Sequence, residues 1–135
     1  MSREFSLAEI FQLGYYWETK ILLTAVKLDL FSALDGKPKT AKEVAGRIGA
    51  HEPTLALLLN ALVALRLLTK EGDSYGNSPA AEKHLVRHAS QYIGHLLVLH
   101  DAEWNNWGML EETIRTGHRP VDRHVFETDP ELGSN

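Results

Sequence analysis

Hydrophobic residues recur at helical intervals along most of the chain, which predicts a mainly α domain. In the first segment, apolar side chains fall three or four residues apart, at Ile10, Leu13, Trp17, Ile21, Ala25 and Leu28. Ser6 and Glu9 have the spacing of a capping box, in which the hydroxyl caps the first turn and the carboxylate reaches back. The pattern predicts an opening helix that follows Ser6 and is weakened at Gly14, and a short helical piece that ends at Gly36.

Two helices joined by a turn are predicted next, after a turn at residues 37–39. Thr40 and Glu43 form a second capping box, at the start of a helix that Gly49 ends. Pro53 then occupies the first position of the following helix, where its missing N–H group costs nothing. The apolar pattern carries this second helix to about Leu68.

A small β wing and further helices complete the predicted fold. Gly72-Asp73 separates two short extended stretches, which predicts a two-stranded β wing. A helix follows Ser78-Pro79, and residues 91–116 are mostly helical by period, with Gly117 as the stop. Residues 118–135 are polar and lack a period, so they are interpreted as a linker. The order of elements is that of a winged helix-turn-helix.

The second helix of this motif has no polar face. Such a helix normally lies in the DNA major groove. Here only Thr54, Asn60 and Arg66 are polar between positions 54 and 68. Because they are spaced six apart, they point in directions about 120° from one another. A helix that is apolar all round must be buried all round, and one small domain can cover only part of it. The remainder is expected to contact another protein chain.

Charge also disfavours nucleic acid as the partner. Between positions 40 and 78 four basic residues are balanced by four acidic ones, and the whole chain has a net charge of −4. A DNA-binding module must neutralise phosphates. We therefore predict a homodimer with an apolar interface, formed by Phe11, Tyr15, Trp17, Leu58 and Leu62. The alternative is a winged-helix transcriptional regulator that senses a ligand and binds DNA as a dimer.

The composition excludes several other classes of function. The chain has 135 residues, enough for one domain, and it has no cysteine, which fits a cytoplasmic protein and removes disulfides and thiol chemistry. We find no secretion signal and no apolar run long enough to cross a membrane. The chain lacks Gly-x-Gly, so neither a dinucleotide loop nor a P-loop is expected.

Histidines offer one candidate for metal binding. His84 and His88 are four residues apart and could share a helix face, but Lys83 and Arg87 flank them with positive charge. A zinc site needs three or four ligands, and this pair supplies two. A solvated, partly basic helix face is the better interpretation, and we assign no metal ligand.

Aromatic and polar residues cluster in the last predicted helices. His100, Trp104 and Trp107 lie at helical spacing beside Asp101 and Asn105. Small-molecule pockets combine aromatic walls with a few polar groups, so the first three residues are candidates for a substrate pocket. Two plainer interpretations stay open: a helix with one solvent-exposed face, or tryptophans that fill the hydrophobic core.

The order of several motifs resembles the N-terminal dimerisation domain of S-adenosylmethionine-dependent O-methyltransferases, of the plant caffeate and bacterial polyketide-tailoring type. The resemblance rests on "LDLFSAL", "TAKEVAGRIGA", "PTLALLLNALVALRLL", a short wing and "NSPAAEKHL", and it continues through "WGMLEETIRTGHRP". It covers nearly the whole chain.

The resemblance implies a winged-helix-like domain that forms an intertwined homodimer. The domain is expected over residues 1–117, with the winged-helix core at about 38–86 and a linker at 118–135. In the family, a Rossmann-like domain binds S-adenosylmethionine and carries the catalytic histidine. This sequence lacks that domain, so we assign no catalytic or cofactor-binding residue and expect this chain alone to be inactive. The full-length enzyme is expected to methylate a small hydroxylated acceptor, aromatic or polyketide-like, and this domain to form part of its pocket. Neither nucleic acid nor a membrane is an expected partner.

Overall fold

The computed structural model describes residues 4–118, which form helices and one small sheet. In chain order the elements are α1 (Leu7–Gly14), α2 (Trp17–Lys27), α3 (Leu30–Ala33), β1 (Lys39–Thr40), α4 (Ala41–Ile48), α5 (Glu52–Ala64), β2 (Leu68–Glu71), β3 (Ser74–Asn77), α6 (Pro79–His84), α7 (Gly94–Ala102), α8 (Trp104–Trp107) and α9 (Leu110–Thr116). The prediction of a mainly α fold with a β wing is confirmed. Contacts divide the chain into two units, the first ending at Gly94 and the second beginning at His95.

The opening helix is broken into separate pieces. Its predicted capping box is present: the Glu9 N–H donates to Ser6 Oγ at 3.2 Å, and the Ser6 N–H donates to Glu9 Oε1 at 3.1 Å. Helix α1 then ends at Gly14, because Tyr15 adopts an extended backbone. Asp29, with a φ of 54°, separates α2 from α3. The apolar period continues across the first break, which only Gly14 indicated, and α3 corresponds to the short helical piece predicted to end at Gly36.

Helix α4 begins and ends where the sequence predicts. The Thr40 N–H donates to Glu43 Oε1 at 2.9 Å, and the Glu43 N–H donates to Thr40 Oγ1 at 3.2 Å. Gly49 closes the helix with a φ of 71°, a left-handed conformation that glycine adopts without steric cost.

Helix α5 ends at Ala64, four residues before the predicted end. The Arg66 N–H donates to the Val63 carbonyl at 2.9 Å, and the Leu67 N–H donates to the Leu62 carbonyl at 3.0 Å. These two bonds form a Schellman motif, and Arg66 fills its left-handed position with a φ of 65°. Arginine is uncommon in that position, so no residue type before β2 indicated the end of the helix.

The sheet contains the predicted wing and one additional strand. Strands β2 and β3 pair antiparallel with Glu71 opposite Ser74, and Gly72 opens the two-residue turn with a φ of 60°. Strand β1 adds to the other side of β3, with Lys39 opposite Tyr75. The order is β1-β3-β2. Lys39, predicted to lie in a turn, therefore belongs to the edge of the sheet.

One hydrophobic core joins α2 to α6 and the sheet. Its buried members are Leu23, Ala25, Val26, Leu30, Phe31, Ala33, Leu34, Val44, Ala45, Leu55, Leu59, Leu62, Leu68, Tyr75, Ala81, Leu85 and Val86. The Tyr75 hydroxyl donates to Asn60 Oδ1 at 2.6 Å, which ties the wing to α5. Asn77 Nδ2 donates to the Phe31 carbonyl at 2.9 Å, which ties the wing to α3. The core therefore begins in α2, before the predicted winged-helix boundary.

The second unit consists of α7, α8 and α9 in its described part. Helix α9 ends at Gly117, which has a φ of 75° and is the predicted stop. Of the predicted linker at 118–135, only His118 is among the described residues, and it bonds to the Thr116 hydroxyl. Residues 119–135 lie outside the described part of the chain.

Two glycines of α4 allow a matched test of the left-handed cap. An added Cβ meets no heavy atom within 4 Å at Gly49 or at Gly46. The backbone conformation alone therefore determines how an alanine at either position changes the stability of the fold. Gly49→Ala should destabilise the fold by about 1 kcal/mol, since a side chain strains a left-handed residue. Gly46→Ala, inside the helix, should stabilise it by roughly 0.5–1 kcal/mol. Chemical denaturation measures both; equal effects would contradict the assigned cap.

The second capping box predicts a pH dependence. The pKa of Glu43 lies below its ordinary value of 4.5, because the Thr40 N–H and then the Thr40 hydroxyl bond to the carboxylate, with Lys37 and Lys39 adding attraction. A lowered folded-state pKa stabilises the fold above pH 4.5, and this contribution is lost as the pH falls through the folded value. NMR titration should find the Glu43 pKa below 4.5, and higher in Thr40→Ala. An unchanged pKa in that variant would contradict the assigned bond.

Candidate functional site

The segment before α2 exposes an unusual amount of apolar side chain. No residue of α1 is buried. We define the N-terminal apolar surface as the exposed side chains of Phe5, Leu7, Ile10, Phe11, Leu13, Tyr15, Tyr16 and Trp17. Many exposed apolar side chains within one short segment are typical of a surface that another molecule covers. The predicted interface residues Phe11, Tyr15 and Trp17 all lie here.

Three aromatic rings meet at the break between α1 and α2. The Tyr15 and Trp17 ring centroids are 4.6 Å apart, and the Tyr16 ring meets Trp17 edge-on at 5.6 Å. Trp17 keeps 48% of its surface exposed. The rings hold one another in place and stay accessible, as aromatic anchors of protein interfaces do. The sequence showed Tyr16 beside its neighbours, but only the structure shows the three rings in contact.

Helix α5 has one buried face and one exposed face. Leu62 is fully buried in the core of its own protomer, so its side chain has no surface to offer a partner. We therefore remove Leu62 from the interface. Leu58 is half-buried and stays a candidate.

Leu57 is an exposed residue that the sequence analysis did not single out. It keeps 70% of its surface exposed, one helical turn from Asn60, which is also exposed. Asn60 was the sequence signal for the exposure of Leu57, because a polar residue indicates a solvent-facing side and residues three apart share a helix face. The exposed face of α5 is therefore partly apolar, as expected for a helix that its own domain covers only in part.

The second unit holds the three predicted pocket residues. His100 is exposed on α7, Trp104 is half-buried on α8, and Trp107 on α8 is 68% exposed. No residue between 95 and 118 is buried. Trp107 therefore does not fill a core in the described chain, which disfavours one of the plainer interpretations.

The described residues offer little catalytic chemistry. Within residues 4–118, no group of three or more histidine, aspartate or glutamate side chains is placed to hold a metal ion. His84 Nδ1 lies 3.0 Å from the Gln91 carbonyl oxygen, so this ring serves a structural contact. No helix in the described part of the chain is long and apolar enough to cross a membrane.

Comparison with curated proteins finds methyltransferases. The chain is 43% identical over 108 residues to the tetracenomycin polyketide synthesis 8-O-methyl transferase TcmO of Streptomyces glaucescens, covering 78% of this chain and 32% of that protein. It is 41% identical over 103 residues to the N,N-dimethyltransferase OxyT of Streptomyces rimosus, covering 76% and 30%. The chain thus spans about a third of the length of these relatives.

A solved structure extends the similarity to the fold. The O-methyltransferase NcsB1 from neocarzinostatin biosynthesis, in complex with S-adenosylmethionine and 2-hydroxy-5-methyl naphthoic acid, superposes with a TM-score of 0.76. It is 25% identical, and the match covers 98% of this chain and 43% of that one. The structural neighbours are O-methyltransferases, not transcriptional regulators.

The sequence model of the O-methyltransferase dimerisation domain matches residues 11–87, more than half of the chain. This match covers α2 to α6, the wing and the aromatic residues at the start of α2. The chain belongs to the O-methyltransferase dimerisation domain family.

Proposed function

We propose that this domain pairs two copies of its own chain through the N-terminal apolar surface. The observation that carries the proposal is that eight large apolar side chains between positions 5 and 17 are exposed in the protomer. Burying such side chains stabilises an assembly by roughly 25 cal/mol per Å² removed from water. In a two-fold symmetric dimer the same patch of each copy lies against the other, so the patch supplies both halves of its own interface.

The exposed face of α5 supports a protein partner over DNA. Apart from Glu52 in the first turn, the exposed residues of α5 are uncharged: Pro53, Thr54, Leu57, Asn60 and Ala64. DNA binding draws most of its affinity from cations that meet phosphates. We propose that the winged-helix framework positions helices for assembly and has no nucleic acid as partner. We also propose that the protein is cytoplasmic.

We further propose that the domain belongs to an S-adenosylmethionine-dependent methyltransferase that acts on a small hydroxylated acceptor, aromatic or polyketide-like. The names of TcmO and NcsB1 support an oxygen acceptor, and NcsB1 was solved with a hydroxylated naphthoic acid. The OxyT name describes transfer to nitrogen. Related domains therefore occur in enzymes named for transfer to oxygen and in enzymes named for transfer to nitrogen. Donor binding and catalysis are assigned to a domain outside this sequence.

His100, Trp104 and Trp107 are proposed to line part of the acceptor pocket. Trp107 is exposed and Trp104 half-buried on one short helix, and His100 precedes them by about one turn. Aromatic faces suit planar acceptors, and an imidazole can donate or accept a hydrogen bond with a hydroxyl.

Removing an aromatic anchor should weaken the dimer. Trp17→Ala should raise the dimer dissociation constant by at least about 30-fold, the equivalent of the ~2 kcal/mol typical of an interface hot spot. Trp107→Ala is the matched control, since that tryptophan is also exposed but lies outside the N-terminal apolar surface. Sedimentation over a range of concentrations measures both. A stable Trp17→Ala dimer, or equal weakening by the two variants, would contradict the proposed interface.

Substitutions in the pocket should change acceptor kinetics and leave stability nearly unchanged. In the methyltransferase that carries this domain, Trp104→Phe and His100→Ala should raise KM for the acceptor by about three- to tenfold. The KM for S-adenosylmethionine is the internal control and should stay constant. A loss of a few kcal/mol in stability with unchanged acceptor KM would instead identify Trp104 as a packing residue.

A further inference from the structure

A charged cleft lies in the first unit, and none of its lining residues belongs to the N-terminal apolar surface. Its volume is about 510 Å³, within the usual range of about 300–1,000 Å³ for small-molecule sites. Residues from the end of α2, from α3 and its flanks, from β1 and from the end of α4 line it, together with His88 after α6. Leu28, Ala33 and Ile48 supply apolar lining, which we call the apolar floor.

Two carboxylates line the cleft at opposite ends of α3. Asp29 precedes the helix and Asp35 follows it. Asp29 adopts a left-handed backbone with a φ of 54°, a conformation that is uncommon for residues other than glycine. Its Oδ2 forms an ion pair with Arg87, 3.6 Å from Nε, a distance too long for a hydrogen bond. The carboxylate therefore keeps the capacity to accept hydrogen bonds from a ligand.

Two cations line the same cleft from other elements. Lys39 comes from β1 and Arg47 from the last turn of α4. Among residues 4–118, the structure gives neither a carboxylate within ion-pair distance. Lys39 does act on Glu43 at longer range, where it helps to lower the pKa of that carboxyl. Lys39 Nζ donates to the Lys37 carbonyl at 3.5 Å. A carbonyl does not neutralise the ammonium charge, so both cations can attract an anionic group in the cleft.

We propose that this cleft binds a small zwitterion of the amino-acid class. Asp29 and Asp35 would accept hydrogen bonds from its ammonium group. Lys39 and Arg47 would donate to its carboxylate, and the apolar floor would contact an aliphatic side chain. A simple anion would be repelled by Asp35, since Arg87 already offsets the charge of Asp29, and a simple cation would be repelled by Lys39 and Arg47. The proposal goes beyond the dimer and does not depend on methyl transfer.

Ligands that lack one charge test this arrangement. The chain is titrated with leucine, N-acetylleucine and leucinamide, and amide chemical shifts are followed by NMR. Leucine should give saturable shifts at Asp29 and Ile48, with a dissociation constant of about 1 mM or tighter. N-acetylleucine lacks the ammonium group and leucinamide lacks the carboxylate, so each should bind at least about tenfold more weakly.

Two variants separate the roles of the charges. Arg47→Gln should reduce the preference for leucine over leucinamide, since only Lys39 remains to bind the carboxylate. Asp35→Asn should reduce the preference over N-acetylleucine, since only Asp29 remains to bind the ammonium group. Lys42→Gln is the matched control, since Lys42 lies on the same helix as Arg47 but lines a different cleft. Asp35, Lys42 and Arg47 are exposed, so the variants should fold; a thermal melt verifies this.

Several results would overturn the proposal. One is the lack of saturable shifts up to about 10 mM leucine, a concentration well above the expected dissociation constant. Another is equal binding of all three ligands, which would indicate nonspecific association. Folded Arg47→Gln and Asp35→Asn proteins that retain both preferences would also exclude the assigned charges.

Discussion

The chain carries more apolar helix surface than a single protomer can cover. The core from α2 to α6 is well packed, since its leucines, Phe31 and Tyr75 are buried. The Tyr75 hydroxyl and Asn77 Nδ2 each donate a hydrogen bond across elements. Helix α1 contributes nothing to that core. Because exposed apolar surface is unfavourable in water, the structure depends on a second surface that meets α1, and the proposed dimer supplies it.

This constraint explains how a winged helix-turn-helix can serve assembly. The framework needs α4 and α5 packed at an angle and a short wing beside them. When such a framework binds DNA, it needs cations on the exposed face of α5. This chain has Thr54, Leu57 and Asn60 there. The same fold therefore carries a function set by its surface chemistry, as is common among widely used folds. The match to the O-methyltransferase dimerisation domain over residues 11–87 agrees with a role of this framework in assembly.

The sequence predicted features that depend on local chemistry. Both capping boxes, the stops at Gly49 and Gly117 and the turn at Gly72 lie where the residue types demand. Predictions that depended on packing were less accurate. The end of α5 uses Arg66 in a position typical of glycine, and β1 forms only because β3 offers it an edge. Leu62 and Leu57 differ in burial although both are leucines in one apolar helix, so tertiary packing decides which of them faces solvent.

The position of α1 in the dimer is the central claim, and the absence of native cysteine makes it directly measurable. Gln12→Cys places a single spin label on exposed α1. Labelled chains are mixed with ¹⁵N-labelled chains that carry no spin label, and the broadening of amide signals in the latter reports contacts between copies. We predict broadening concentrated in residues 5–17 of the partner, because the two apolar surfaces meet. Absence of broadening at concentrations where the protein sediments as a dimer, or broadening confined to α9, would contradict the account.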